Sequence, residues 1–555
     1  MARHPRDRKS PASPKRPAPA GPEIPAHAPR PLEKLIRRVA VPFLLLLFLA
    51  QAASSIVTKS ATWDETNYFG MGDYLLRNGR WDVPSAVIHP PLAYYLDSLP
   101  VLFSDLDRSV WTYPASRVRD LAFLGAADVD RGQALLSSPA NSGDRLLTLA
   151  RLMVMLQTML LGYFVYRFGM ALYGWKAGVG ALALFACCPN TIALGSLITP
   201  DMTLTVFFFV TIYYFRKALV GNERSDHVLA GVALGLALLS KFPALLLLPI
   251  EGVILACLAL RRQRLPVKWL LISWACALLV VLVGYRFDLG PYIQGIKVQQ
   301  MHGGGGHLAF LMGQLSPAGW WYYCLAAFAL KTPIPLLLFL AAALFIVCRR
   351  AIRRAITLDD LIVWVPVVAV FAFFSVELRS IGLRYVLPVY PFVFVVAGGV
   401  VLQFRKLKYW LIVPMIWYVA ASWTIWPDYL AYFNEFAGGP DNGYRYLVDS
   451  NLDWGQDLKG LKRFMDSRGI DRIYLSYFGT DSPDRYGINY DWLPSYELKN
   501  RNPQPTIDVK RKRYLAISVT NLQGVYMEPV TMFRWLDRYT PVARIGHSIF
   551  VYYLE

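Results

Sequence analysis

Apolar stretches of about twenty residues recur along the chain, and a helix of that length spans the hydrocarbon core of a bilayer. Roughly eleven can be set out, at 39–57, 147–166, 177–194, 201–219, 228–240, 243–260, 267–285, 320–347, 360–376, 385–403 and 409–426. They predict a polytopic α-helical membrane protein. After residue 426 the period changes: Arg472–Tyr477, Tyr514–Val519 and Ser548–Tyr553 read as strands and Leu458–Arg468 as a helix. That change predicts a small α/β domain after the spans. Before the first span, Pro, Ala, Arg and Lys dominate and large apolar side chains are scarce, so the segment cannot bury enough surface to offset ordering entropy. The predicted organisation is a disordered basic cytoplasmic tail (1–36), a transmembrane domain (37–426) with a first outer loop at 58–146, and an extracytoplasmic α/β domain (427–555).

Charge orients this picture. The net charge of +19 belongs to a chain of 555 residues that is 55% hydrophobic with mean hydropathy +0.35. Its cations gather in short clusters at the ends of apolar runs, as in Arg261–Arg264 and Arg349–Arg354. Such clusters mark cytoplasmic loops beside anionic lipid, and the bilayer, with no nucleic acid, is the partner they predict. With the N-terminus inside, the basic loops alternate consistently, which places 58–146, 286–319 and everything after 427 outside. The basic preface is too long, and a cleavage site too poorly marked, for a signal peptide. All six cysteines lie at or before Cys348, so no disulfide framework is expected outside, and a bacterial inner membrane fits better than an endoplasmic reticulum.

Candidate chemistry lies at the outer ends of the spans. Asp64 and Glu65 directly follow the first span, where a carboxylate can take a proton from an acceptor hydroxyl and a neighbouring acid can tune it or hold a metal. The plain alternative is a solvated loop pair. Asp201 begins a span, where acids also serve as caps. His89, before Pro90–Pro91, is a candidate for binding the donor phosphate, although the pattern equally marks a helix entry. Lys241, Lys331, Arg379 and Arg384 sit at outer helix ends against the positive-inside trend. Snorkelling explains any one of them; together they predict an outer anion, for which a lipid-linked phosphate is the natural candidate. Trp63, Tyr94 and His307, the last in a glycine-rich outer loop, are candidates for lining a sugar and acceptor cavity. A divalent ion on Asp64 and Asp201 is chemically compatible, although no dense ligand cluster demands one.

These segments, taken in order, resemble the GT-C membrane glycosyltransferases, specifically glycosyltransferase family 39, which includes protein O-mannosyltransferases and lipid A aminoarabinose transferases. The resemblance rests on Asp64-Glu65, His89-Pro-Pro91, Pro200-Asp201, Gly319–Tyr323 leading to Lys331-Thr-Pro333, Arg384–Pro388, Tyr429–Pro440 and Asp449–Asp457. It implies a GT-C fold and the transfer of one hexose or pentose, with inversion, from a polyprenyl-phosphate donor to a lipid, glycan or protein acceptor on the outer face. Asp64 matches the family's proposed base, and Asp201 a second acid of the outer cavity. The chain departs at His89, where the aminoarabinose transferases tend to have lysine, and histidine is charged over only part of the physiological range. Donor chemistry of this kind needs no nucleotide-binding fold, and none is visible. The rival readings are a lipid-linked saccharide transporter or flippase, expected to carry charge near the bilayer midplane, and an O-antigen-ligase-like protein with a diphosphate-linked donor.

Overall fold

The computed structural model describes residues 31–108, 126–304, 308–377, 381–403, 412–495 and 513–554. Among them, eight helices are long and apolar enough to cross a membrane: Leu35–Ile56, Gly143–Tyr173, Pro200–Gly221, Phe242–Leu260, Val267–Gly284, Ile334–Ile352, Leu358–Glu377 and Leu383–Val400. This is a multi-pass helical membrane protein, as the hydropathy pattern predicts, but with fewer full-length spans than eleven. The stretches expected at 177–194, 228–240 and 409–426 fall on the shorter helices Trp175–Ala186, Arg224–Leu238 and Ile412–Thr424. Proline explains two interruptions in the expected pattern. Trp175–Ala186 stops before Cys188-Pro189, where a separate short helix begins, and 320–347 divides at Thr332-Pro333 into Tyr323–Lys331 and Ile334–Ile352. At about 1.5 Å per residue, the 12 residues of Trp175–Ala186 reach only part of the bilayer core.

Small residues bring some of these helices into close packing. Arg224–Leu238 lies against Pro200–Gly221 and Val267–Gly284. A Cβ on Gly231 would stand 2.1 Å from the Ser273 carbonyl oxygen, so only glycine permits that approach. The predicted basic tail lies outside the described residues, apart from the start of the first helix, Pro31–Ile56.

Outside the spans, β1 (Ala309–Leu311) and β2 (Gln314–Ser316) form a hairpin. A second sheet contains β3 (Ile473–Ser476), β4 (Tyr490–Trp492), β5 (Arg513–Ser518), β6 (Ala543–Ile545) and β7 (Ile549–Leu554), in the order β4-β3-β5-β7-β6. Strands β4, β3 and β5 run parallel, while β7 is antiparallel to β5 and β6. Because side chains alternate across a strand, β3, β5 and β7 each serve two cores. Ile473, Leu475, Ala516, Ile549 and Val551 face the Leu458–Arg468 helix. Tyr474, Leu515, Ile517, Phe550 and Tyr552 join the large core that continues into the membrane helices.

The segment between the helix Ile412–Thr424 and the sheet folds back onto the ends of the spans near Trp63 and Leu330. The Asn434 amide donates to the Leu330 carbonyl (2.9 Å), Ser60 to Gln456 (2.9 Å) and Trp63 to Trp454 (2.7 Å). One side of the outer site is therefore built from the C-terminal chain.

Candidate active site

Asp64 sits in the first turn of the helix Trp63–Asn78, and the residue after it fixes the helix in place. Neighbours on a helix point about 100° apart, so Glu65 faces inward while the partly exposed Asp64 points to Arg384. Fully buried Glu65 accepts from the Thr62 amide (2.8 Å) and hydroxyl (3.1 Å), Arg151 Nε (2.8 Å), Arg151 Nη2 (2.6 Å) and the Ile198 amide (3.1 Å). Both its oxygens are engaged. The acidic pair predicted to share chemistry is thus divided: Glu65 anchors the helix, and Asp64 is presented. The signal was in the sequence, because Thr62-x-x-Glu65 is a capping-box pattern.

Asp64 is one of four charged side chains, from four separate segments, that form a single cluster. Arg384 Nη1 lies 2.5 Å from Asp64 Oδ2 and 3.8 Å from Asp201 Oδ2, while Lys241 Nζ lies 2.7 Å from Asp201 Oδ1. Asp201 does not cap its helix. Thr199 holds the cap position in an extended conformation, Pro200 is the first helical residue, and the Asp201 side chain turns to the two cations. Tyr385 stands beside both cations, with its ring centroid 5.1 Å from Lys241 Nζ and 5.5 Å from the Arg384 guanidinium. Burial lowers the Lys241 ammonium below its ordinary value, and Asp201 opposes that shift. Tyr68, one turn after Asp64, is pushed well above the ordinary phenol range by burial and by the neighbouring Asp64 charge. It remains a protonated donor.

Three buried polar atoms here have no hydrogen-bond partner among the described residues: Asp201 Oδ2, Arg384 Nε and Asn67 Oδ1. Leaving such a group unpaired costs about 1–3 kcal/mol, more where charge is involved, so the arrangement is one that a bound polar group would complete. Asn67 and Tyr68 lie three and four residues after Asp64, on the same side of the helix.

The remaining predicted residues fall into three groups. His89 and Tyr94 form an aromatic wall with Tyr68: their ring centroids are 5.9 and 5.5 Å from that of Tyr68, and the Tyr94 hydroxyl donates to the Ser85 carbonyl (3.4 Å). Trp63 turns toward the C-terminal sheet, stacking on Phe478 at 4.9 Å while its carbonyl accepts from Thr480 Oγ1 (2.7 Å). Lys331 stands behind the site. Its ammonium, 4.6 Å from the Phe433 ring centroid, donates to the carbonyls of Leu430 (2.9 Å) and Asn451, tying the folded-back segment to its helix. Lys331 was expected at a phosphate; two of its ammonium donors are aimed at backbone carbonyls. Arg379 and His307 lie outside the described residues.

The motif reading assigned no roles within Asp449–Asp457, yet this segment forms the far side of the site. The Arg384 guanidinium lies 4.5 Å over the buried ring of Trp454. Asn451 accepts from the Leu383 amide (2.9 Å) and donates to the Tyr323 hydroxyl (3.0 Å) and the Ile381 carbonyl (3.1 Å), fixing the chain just before Arg384. Spacing gave no signal for these roles, which exist only once the segment folds back across the spans.

Together these groups can receive an anion on Arg384 and Lys241 and use Asp64 as a proton acceptor. The carboxylates are poorly suited to hold a divalent ion. Asp64 and Asp201 are each paired with a cation, and the described residues contain no group of three or more His, Cys, Asp or Glu that could hold a metal.

Residues 143–285 match the family model described as dolichyl-phosphate-mannose-protein mannosyltransferase. This agrees with the resemblance drawn from the motifs: the chain is similar to the membrane glycosyltransferases. No curated protein sequence matches the chain. Among solved structures, ArnT from Cupriavidus metallidurans in the apo state is similar at TM-score 0.48 and 14% identity, covering 93% of this chain and 98% of that one. The same protein bound to undecaprenyl phosphate gives TM-score 0.45 at 14% identity with the same coverage. The Archaeoglobus fulgidus oligosaccharyltransferase tethered with an acceptor peptide gives TM-score 0.49 at 11% identity, covering 92% of this chain and 72% of that one.

Proposed function

We propose that this protein is an inverting glycosyltransferase that moves one sugar from a polyprenyl-monophosphate carrier to an acceptor hydroxyl on the outer face of a bacterial inner membrane. The observation that carries the reading is the chain of alternating charges Asp64, Arg384, Asp201, Lys241, in which Asp201 Oδ2 and Arg384 Nε have no hydrogen-bond partner among the described residues. The matched family's description names a phosphate-linked sugar donor, which supports the same chemistry. The alternation of basic loops supports a cytoplasmic N-terminus and a periplasmic, sheet-bearing C-terminal part.

Before the donor arrives, the Asp64 carboxylate is held in an ion pair with the Arg384 guanidinium. A carrier phosphate entering at Arg384 and Lys241 draws the guanidinium toward itself and releases Asp64. The acceptor oxygen then attacks the anomeric carbon from the face opposite the carrier and forms the new glycosidic bond as the bond to the phosphate oxygen breaks. Asp64 takes the hydroxyl proton, and the bonding pair leaves with the phosphate, whose charge the two cations accept. Tyr68, His89 and Tyr94 supply a wall against which a sugar ring can lie. The acceptor is a lipid, a glycan or a protein.

The test is transfer by the detergent-solubilised full chain from undecaprenyl-monophosphate sugars and from undecaprenyl-diphosphate sugars, with the released carrier identified. Transfer from the monophosphate donors alone supports the reading. Transfer from the diphosphate donors alone contradicts it and favours the ligase-like alternative.

A further inference from the structure

A second opening lies between the first helix and the helix Ile412–Thr424. Gln51 and Ser54, in the last two turns of the span Leu35–Ile56, line one groove with Trp423, Trp426 and Tyr429. The groove is mostly apolar and holds about 320 Å³. The Trp426 indole donates to Ser54 Oγ (3.0 Å) and joins its two walls, while the side chains of Trp423 and Trp426 are 67% and 54% exposed. Indole rings settle where head groups meet acyl chains. Tyr429 also lines a smaller, polar pocket with Ser55, Lys59 and Asp428, so the two openings adjoin. The pocket's free volume is about 30 Å³, room for about two water-sized groups. Ser55 Oγ donates to the Pro427 carbonyl (2.6 Å), which holds Asp428 at the end of the first helix. Lys59 pairs with Asp428 and with Asp457 (2.6 Å), two carboxylates on one ammonium. Asp457 is buried and its other oxygen accepts from Ser548 Oγ (2.6 Å), whereas the Asp428 side chain is 23% exposed. Lys459, which donates to the Val57 carbonyl (3.3 Å), shares Asp144 and Asp481 with Arg485, so those charges balance among themselves. The pocket keeps an excess of one negative charge.

We propose that these two openings form one binding site for a membrane glycerophospholipid whose head group ends in a primary ammonium, with an acyl chain in the groove and the ammonium on Asp428. The order along the first helix fits such a lipid: at 1.5 Å per residue Gln51 lies about 7.5 Å before the helix end at Ile56, and Lys59 and Asp428 lie beyond it. The apolar groove therefore sits under the polar pocket as a chain sits under its head group. A primary ammonium supplies both the positive charge that the pocket is short of and N–H donors for the Asp428 oxygens. A trimethylammonium head brings the charge without donors and is too bulky for the pocket, and a glycerol head leaves the lipid with a net negative charge against the carboxylate excess. The site shares no residue with the cluster of Asp64, Arg384, Asp201 and Lys241, and the inference does not rest on the transfer reaction.

Native mass spectrometry of the delipidated full-length protein, titrated with phosphatidylethanolamine, phosphatidylcholine and phosphatidylglycerol of identical acyl chains, tests this. Identical chains cancel the contribution of the groove, so the ratios of the Kd values report the head group. Phosphatidylethanolamine is expected to bind about tenfold more tightly than either of the others, as for a hydrogen bond to a charged group. Asp428→Asn should bring it to the level of phosphatidylcholine. Trp423→Ala, at an exposed position, should weaken all three lipids by a similar factor and keep their order. Equal Kd values for phosphatidylethanolamine and phosphatidylcholine in the wild type, tightest binding of phosphatidylglycerol, or a preference that survives Asp428→Asn overturns the proposal. The first two outcomes need no variant, so the test stands if Asp428→Asn fails to fold. Binding of all three lipids unchanged by Trp423→Ala overturns the placement of the chain in the groove.

Discussion

Two neighbouring acids, Asp64 and Glu65, have different work because a helix separates their directions. Glu65 and Arg151 form a fully buried pair whose remaining guanidinium donors reach the carbonyls of Ile56, Lys59 and Ser60. Removing one partner of such a pair leaves an unpaired buried charge and costs about 3–5 kcal/mol. Glu65→Gln is therefore expected to lower the yield of monodisperse protein sharply, and adding Arg151→Met should recover part of it, as size-exclusion chromatography would show. An equal yield from Glu65→Gln and wild type would remove Glu65 from its anchoring role. Asp453 gives a different prediction. Burial pushes its carboxyl up to about 8, against hydrogen bonds from Thr520. The folded state thus binds a proton that the unfolded state has lost above its ordinary value near 3.8, so this residue's contribution to stability declines as pH rises from about 4 to about 8. Asp453→Asn keeps the shape without the charge, so its melting temperature should exceed that of wild type at pH 8.5 and the difference should vanish near pH 4. A difference independent of pH would contradict this.

At the scale of elements, the cavity depends on chain reversals between distant segments. Asn451 fixes the backbone before Arg384, and Trp454 lies beneath the guanidinium. Asn451→Ala leaves the buried Leu383 amide unpaired, a cost of about 1–3 kcal/mol, and should speed amide exchange at 381–385 while leaving the Leu458–Arg468 helix unchanged. Unchanged exchange at 381–385 would show that the loop is held by other contacts. The same geometry explains what could be read from sequence. Strands β3, β5 and β7 were legible from alternation and the Leu458–Arg468 helix from its apolar spacing, but β4 and β6 are three-residue, partly exposed strands with no periodic signal. Asp64, Asp201, Lys241 and Arg384 stood out as charges at the outer ends of apolar runs, and the structure brings all four together. Lys331 carried the same signal and donates to two backbone carbonyls, since a lysine at a helix end looks alike in sequence whether it meets a phosphate or a carbonyl. Asn451 and Trp454 were missed as site residues because their neighbours lie more than sixty positions away in the chain.

Across the whole molecule, the helices place the charged cluster where the first loop, the starts of later spans and the C-terminal segment converge. That arrangement needs the C-terminal sheet on the same side of the membrane as Asp64, which the topology proposed above makes the periplasmic side. A reporter active only in the periplasm should work when fused after Glu555 and stay silent after Arg350; the reverse pattern would invert the topology. The central claim is the role of Asp64 as the base that takes the acceptor proton, and the most direct measurement is sugar transfer by purified Asp64→Asn from whichever undecaprenyl-monophosphate sugar the wild type uses. General-base catalysis supplies a factor of about a hundred to ten thousand, so the variant should lose activity by that factor while still eluting as folded protein and binding undecaprenyl phosphate. Transfer within a few-fold of wild type would place the base elsewhere, with Asp201 as the next carboxylate to examine.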